Sequence, residues 1–312
     1  MASLQSGPMN SRETERETRA HPDVQDTRTL SEPASVECPE GEISFPAIIL
    51  CDAETGTLKV AGLPILDRLL VATHRAGVAV ITVVSSKPLP QLPRTASLGI
   101  GFQRVTDVPR IERPTLALST GLLVQAADLK ALIRNRGRLV GRDGVPLPAG
   151  VIAAPMTRDL EEQLRRLPKV VAQGVAEPII GASSVPVASR ALWGSLGSPL
   201  DGVVDKYFNR PVGHILTKQL VHTSVSPNQV SAASILLGLI SAWLFAGGMH
   251  DMAVLGAIAL QLSAILDAVD GDLARVVFKE STLGKWLDIV GDQVVHVAVF
   301  VAIGVGLYRA GS

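Results

Sequence analysis

The sequence predicts two architectures in one chain: an α/β soluble domain with a mostly parallel, Rossmann-like sheet, then an all-α transmembrane domain. Three observations predict it. Short apolar runs alternate with helical patterns from residue 44 to 190, the order that builds parallel sheets. Apolar residues crowd toward the C-terminus, in runs near the ~20 residues that span a bilayer core. The first 43 residues are polar and charged with no apolar period, the composition of a disordered tail. A length of 312 residues leaves room for two domains. The charges balance, 29 Lys and Arg against 29 Asp and Glu, so nothing points to a nucleic-acid partner. Cys38 and Cys51 are the only cysteines and have no metal-ligand spacing. A disulfide framework is therefore not expected, which fits a reducing, cytoplasmic face. No apolar core follows the basic residues of the tail, so no signal peptide is read.

Within residues 44–190, Phe45 to Cys51 reads as a buried strand and Leu63 to Arg75 as a helix that ends at Gly77. Val78 to Val84 is a second strand and Thr115 to Leu118 a third. A helix follows from Ala126 to Arg136, then a strand over Gly150 to Ala154 and a charged helix over Arg158 to Lys169. The pieces AIIL from Ala47, VAGLPILDRLLVATHRAGV from Val60 and VITVV resemble the MobA-like nucleotidyltransferases. In that family a glycine-rich loop and a basic residue after the first strand cradle a triphosphate. Here the loop reads CDAETGTLK, with one glycine and two acids, and Ser119 and Thr120 stand where the family carries a metal-binding aspartate. The resemblance therefore implies a relative that has lost nucleotidyl transfer, with Lys59 reading as a surface lysine.

Residues 191–226 link the two parts. Ser198 to Gly202 reads as a turn. Val203, Val204, Tyr207, Phe208, Ile215, Leu216 and Leu220 then form an apolar stripe, with Lys206, Arg210 and Lys218 at other positions. This is an amphipathic helix, interrupted near Pro211, that reads as lying in the membrane interface; packing on the soluble domain is the alternative. The transmembrane domain occupies 227–312. Ser226 caps its first helix with Pro227 in the first turn, and Gly247-Gly248 ends it. The second helix is expected over Met252 to Val277 and the third over Leu283 to Tyr308.

Between those last two runs lie Asp267, Asp270, Asp288 and Asp292. Carboxylates near a bilayer stay only with a partner or a job. Asp267 and Asp270 are three apart, Asp288 and Asp292 four apart, so each pair shares a helix face. Gly271 and Ala274 fall on the face of the first pair, and Gly284 lies one turn before Asp288. Two helices meeting along these faces would join four carboxylates beside small residues that leave room for a ligand. An all-oxygen set suits Mg²⁺ or Mn²⁺ better than zinc.

The spacing D-x-x-D-G-x-x-A-R, eight residues, then G-x-x-x-D-x-x-x-D resembles the signature of the CDP-alcohol phosphotransferases. Asp267, Asp270, Gly271, Ala274, Arg275, Gly284, Asp288 and Asp292 meet every fixed position. The resemblance implies a two-metal site, with ions about 4 Å apart, held by Asp267, Asp270, Asp288 and Asp292. Asp292 would also be the catalytic base for the acceptor hydroxyl. Gly271, Ala274 and Gly284 would admit the cytidine and diphosphate, and Arg275 would pair with a phosphate or lock the motif. The implied reaction moves a phosphoalcohol from a CDP-alcohol donor (CDP-diacylglycerol or a CDP-inositol) to an alcohol acceptor and releases CMP, in phospholipid synthesis. An inositol phosphate is the first-choice acceptor. The alternatives are a non-catalytic membrane binding or scaffold module, or a membrane-anchored cytidylyltransferase. His296, one turn beyond Asp292, reads as a packing residue rather than a ligand.

Basic residues set the orientation. Arg275, Lys279 and Lys285 flank one loop, while GGMHD has neither Lys nor Arg. The α/β domain and the four aspartates are therefore expected on the cytoplasmic side of the cell (inner) membrane, with Arg309 a mild violation. The family usually has six membrane helices and three are read here. Ala298, Ala302, Gly304 and Gly306 recur along the third, and small residues permit close helix contacts. That face is expected to meet further helices, from a longer chain or from a second copy in a homodimer.

Overall fold

The computed structural model describes residues 45–154, 166–197 and 202–311. The tail expected over 1–43, the turn expected over 198–202 except its last residue, and most of the helix expected over Arg158 to Lys169 lie outside them. The chain begins with β1 (Pro46–Leu50), α1 (Ala53–Thr57), β2 (Lys59–Val60), β3 (Leu63–Pro64), α2 (Ile65–Arg75) and β4 (Val80–Val84). Next come α3 (Pro93–Ser97), β5 (Gln103–Val105), β6 (Thr115–Ser119), β7 (Leu122–Val124), α4 (Ala126–Asn135), β8 (Arg138–Val140) and β9 (Pro146–Ile152). After β10 (Lys169–Val171) and β11 (Ala176–Pro178) the chain is helical: α5 (Val185–Gly194), α6 (Arg210–Leu220), α7 (Pro227–Ala246), α8 (His250–Val276) and α9 (Thr282–Gly311).

Seven strands form one sheet in the order β10-β8-β9-β6-β1-β4-β5. The central β1 runs parallel to both β4 and β6, and β9 runs antiparallel to β6 and β8. The apolar run in β1 reflects cover on both faces. Ala47 and Ile49 join the main core, while Ile48 packs with Ile111 and Ile152 on the other side. The helix expected from Leu63 starts two residues later, because Leu63 and Pro64 pair with Lys59 and Val60 in a small hairpin. At the far end of the expected charged helix, Lys169 instead opens β10 beside β8.

The α/β part and the helices share a core. Leu63, Trp193 and Leu196 pack with Val230 of α7 and with Val269, Leu273 and Val276 of α8. Residues Ser44–Ser312 accordingly form one compact unit. Ahead of α6 the chain is already helical and makes a π turn over Asp205–Asn209, then runs on through Pro211 without a break. In place of the expected interruption the helix carries that π turn just ahead of Pro211, a local irregularity at the point where a proline without an N–H breaks the regular ladder. Asn209, Gly213 and Thr217 face the protein, whereas Val203, Tyr207, Phe208 and Ile215 point outward. Apart from Leu220, which packs against the core around Trp193, the apolar stripe thus faces away from the protein, as it would toward lipid.

Helices α7, α8 and α9 are long and apolar enough to cross a membrane, with mean hydropathy 1.7, 2.0 and 1.9. Ser226 and Gln229 cap α7 reciprocally: Ser226 Oγ accepts from the Gln229 N–H at 3.3 Å, and Gln229 Oε1 from the Ser226 N–H at 2.9 Å. Between α7 and α8, Ser234 donates to the Ser263 carbonyl at 2.9 Å, and Ser263 to the Ser234 carbonyl at 2.8 Å. On its other side α7 meets α9, where a Cβ on Gly238 would collide with Val295 and one on Gly306 with the Phe245 carbonyl. This corrects the expectation for α9. Ala302 and Gly306 pack against α7 within the three-helix group, because glycine lets the two backbones approach. The face left outward carries Val297, Phe300, Val301 and Leu307. Helix α7 packs along both neighbours, while α8 and α9 scarcely touch each other.

Candidate active site

Because α8 and α9 are held apart by α7, their facing ends leave a wedge. Asp267, near the end of α8, meets Asp288 and Asp292, near the start of α9. Each offers a carboxylate oxygen, and the three oxygens all lie within 4.8 Å of one another. A cleft of about 140 Å³ opens beside them. Asp270, Gly271, Ala274, Arg275, Gly284 and Asp288 line it. Asp288 therefore belongs to both the carboxylate trio and the cleft, while Asp270 lines the cleft and is not one of the trio. His296 is exposed and stands outside the trio.

The donor set fits a hard divalent cation. Asp270 is 5% exposed, and its Oδ2 has no hydrogen-bond partner. A buried carboxylate oxygen without a partner is costly unless a cation meets it. Among the described residues, no lysine or arginine forms an ion pair with any of the four motif aspartates. Carboxylates gathered without cations repel, and oxygen ligands in this number suit Mg²⁺ or Mn²⁺.

Gly284 leaves room at the mouth of the cleft. A Cβ there would lie 3.0 Å from both Asn228 Oδ1 and Ser281 Oγ and would narrow the cleft. Asn228, Ser231, Lys279 and Lys285 also line it. Asn228 and Ser231 sit in the first turns of α7, and no acid or glycine spacing marks them. The two lysines are legible only as loop charges.

Asp272 is the acid the motif spacing passes over. It is fully buried. Its Oδ1 accepts from Arg210 Nη1 and from Arg275 Nη2, both at 2.7 Å. His214 Nε2 stands 3.1 Å from Oδ2, at ion-pair distance but outside hydrogen-bond geometry. Arg210 and His214 come from α6, so Asp272 ties that helix to α8. Arg275 is thus bonded within the motif while still lining the cleft. A charge three residues before Arg275 was visible in the sequence; the partners on α6 were not.

The family model described as CDP-alcohol phosphatidyltransferase matches residues 224–311. These residues are a CDP-alcohol phosphatidyltransferase domain. Curated relatives include a "Bifunctional IPC transferase and DIPP synthase" of Aquifex aeolicus, 34% identical over 34% of this chain and 24% of its own. One of the same name from Thermococcus kodakarensis is 38% identical over 30% of this chain and 21% of its own. An "Archaetidylinositol phosphate synthase" of Pyrococcus horikoshii is 32% identical over 28% of this chain and 46% of its own. The chain therefore spans less than half the length of each of these relatives. A solved UDP-glucose pyrophosphorylase overlays on 49% of this chain at a TM-score of 0.32 and 8% identity, too low a score to bear on the fold.

The α/β part places a different arrangement where a phosphate loop would lie. After β1, Asp52 caps α1, and its Oδ2 accepts the N–H groups of Glu54 at 3.1 Å and Thr55 at 2.9 Å. Thr120 accepts the Asp52 N–H at 3.0 Å and shares a 2.8 Å hydrogen bond with Thr55. The Thr55 N–H above all, with the Thr55 hydroxyl and the Glu54 N–H, holds the Asp52 carboxyl below its ordinary value. The backbone donors that would meet a phosphate are occupied by a carboxylate. Lys59 is exposed on β2.

Proposed function

We propose that the chain transfers a phosphoalcohol group from a CDP-alcohol to an acceptor hydroxyl, releasing CMP, at the cleft between α8 and α9. The observation that carries the reading is the meeting of Asp267, Asp288 and Asp292 beside a cleft lined by Asp270, Gly271, Ala274, Arg275 and Gly284. In this reading Asp267, Asp270, Asp288 and Asp292 hold Mg²⁺ or Mn²⁺. The chemistry those ions supply when bound is neutralisation of the diphosphate and of the charge that builds on CMP. Gly271, Ala274 and Gly284 let the nucleotide approach the backbone. Lys279 and Lys285, both exposed at the cleft, offer charge to its phosphates. Asp292 takes the proton from the acceptor hydroxyl as that oxygen bonds to the phosphorus bearing the donor alcohol. The bond from that phosphorus to the CMP oxygen breaks, and CMP leaves with the electron pair. Placement matters more here than intrinsic basicity.

The inositol phosphate in the printed name of the Pyrococcus horikoshii relative supports an inositol phosphate acceptor with a CDP-lipid donor. The occupied loop after β1 supports an α/β domain without nucleotidyl transfer. The basic loop at 275–285 and the outward stripe of α6 support a site at the cytoplasmic face of the inner membrane. The outward apolar face of α9 suits a second copy of the chain, as in a homodimer, as well as lipid.

The test uses the chain in nanodiscs with Mg²⁺ or Mn²⁺, labelled CDP-diacylglycerol and a panel of alcohols. CMP release that needs both metal and acceptor is expected. Asp267→Asn and Asp288→Asn should each cut Mn²⁺ affinity by at least about a hundredfold, the upper range for losing even an outer-shell partner. Metal-independent release, or unchanged Mn²⁺ affinity in both variants, would overturn the reading. Tight CDP-diacylglycerol binding without CMP release would favour a binding module instead.

A further inference from the structure

Asp270 and Asp288 share one cleft but come from different helices. Since α8 and α9 scarcely touch each other directly, their separation at the cleft is set by α7 along their length and by the connector at their facing ends. The second residue of that connector is Phe278, at φ +56°. A residue with a side chain occupies this left-handed region at a cost of roughly 1–2 kcal/mol, so something must hold it there.

Three arginines of the α/β part converge on it. Arg94 donates to the Phe278 carbonyl from Nε at 3.0 Å and again from Nη2. Arg75 reaches the same carbonyl at 3.4 Å and the Glu280 carboxylate at 2.5 Å. Arg68 donates from Nη1 to the Val276 carbonyl at 2.9 Å, and from Nε and Nη2 to the Val60 and Ala61 carbonyls. The Arg75 and Arg68 guanidiniums also stand 5.0 and 5.6 Å from the centre of the Phe278 ring. Val276 is the last residue of α8 and Phe278 the second beyond it; carbonyls at a helix C-terminus lack partners within the helix and favour cations. Arg94 is itself fixed, because buried Asp67 accepts the backbone N–H groups of Arg94 and Thr95 at 2.9 and 2.7 Å. Burial pulls the Arg68 guanidinium down to about 10, which leaves it charged at neutral pH. An arginine only 3% exposed that bridges the soluble part to the end of a membrane helix goes beyond simple docking, which the apolar contacts of Leu63 and Trp193 already provide.

We propose that Arg68, Arg75 and Arg94 are positioning residues for the membrane site: through Phe278 they hold the spacing between the Asp270 and Asp288 helices. The α/β domain is then part of the apparatus that shapes the metal and donor cleft. This inference rests on the function proposed above.

The experiment compares wild type with Arg94→Gln, Arg94→Lys and Arg75→Gln, each as the 312-residue chain in nanodiscs. Melting, amide hydrogen exchange over 277–285, Mn²⁺ affinity and the kinetics of CMP release are measured. Both Gln variants should melt near wild type yet exchange faster over the connector. They should bind Mn²⁺ about tenfold more weakly, as when a supporting contact of a metal ligand is lost. The kcat should fall with KM for the CDP-alcohol nearly unchanged, and Arg94→Lys should recover part of the loss. Unchanged exchange, or faster exchange with unaltered Mn²⁺ affinity and kcat, would overturn the proposal. Failure of both Gln variants to fold would also overturn it, since the arginines would then hold the domain rather than place the connector. If wild type itself neither binds Mn²⁺ nor releases CMP, the reading of the site fails. The exchange data then still decide the clamp, which stands if Arg94→Gln speeds exchange and falls if it does not.

Discussion

Asp272 shows how one side chain can matter outside a recognised spacing. It lies on α8 between Asp270 and Arg275, is fully buried, and is met by Arg210, Arg275 and His214. Removing one member of a buried ion pair leaves the other charge unmatched, at about 3–5 kcal/mol. Asp272→Asn should therefore destabilise the protein by about 3 kcal/mol, read as a lower midpoint of thermal unfolding in detergent. It should also free Arg275 from the motif. A melting curve that matches wild type would mean that solvent already screens this cluster. Arg309 is a second residue whose meaning changes with structure. By charge alone it sits on the wrong side of the membrane, yet its Nη1 donates to the Ala246 carbonyl at 2.8 Å. It caps the end of α7, where a cation is favourable.

At the scale of elements, the wedge exists because α7 packs closely against both of its neighbours. Gly238 lets Val295 approach, and Gly291 does the same for Ile235. A larger side chain at 238 must push α9 outward and carry Asp288 and Asp292 with it. Gly238→Val should cost about 2 kcal/mol by overpacking and lower Mn²⁺ affinity although it lies away from the aspartates. Unchanged Mn²⁺ affinity with lowered stability would show that the ends of the helices are set independently of their middles. The helices themselves were legible: long apolar runs, Ser226 with Pro227 at a start, and Gly247-Gly248 at an end. The hairpin at Lys59–Pro64 was not, since two-residue strands carry too little pattern to read. The face of α9 that meets α7 was also not legible, because apolar residues surround that helix and period alone cannot choose a side.

For the whole molecule, the α/β part and the membrane helices join through the cluster around Trp193 and Leu273. The proposed orientation puts both the joint and the cleft on the cytoplasmic side. It can be read with single cysteines in a Cys38→Ser, Cys51→Ser background in sealed inverted vesicles. Lys279→Cys should react with an impermeant maleimide, and Met249→Cys should react only after the vesicles are opened. The reverse pattern would invert the topology and place the α/β domain outside. Lys279 and Met249 are both exposed, so burial does not confound the labelling.

The sequence by itself determined the order of architectures, the parallel core strands, the membrane helices and all eight positions of the CDP-alcohol motif. Each of these is a local pattern, a period or a spacing, and such patterns survive in one dimension. Tertiary structure alone decided which carboxylates meet. Asp267, Asp288 and Asp292 form the trio while Asp270 turns to the cleft, because the angle between two helices depends on the third helix that separates them. It also decided the partners of Asp272 and the three arginines on Phe278. Residues 68 and 276 are far apart along the chain, and no spacing records a hydrogen bond between a side chain and a distant carbonyl. Such contacts arise only when the soluble core and the membrane helices pack into one unit.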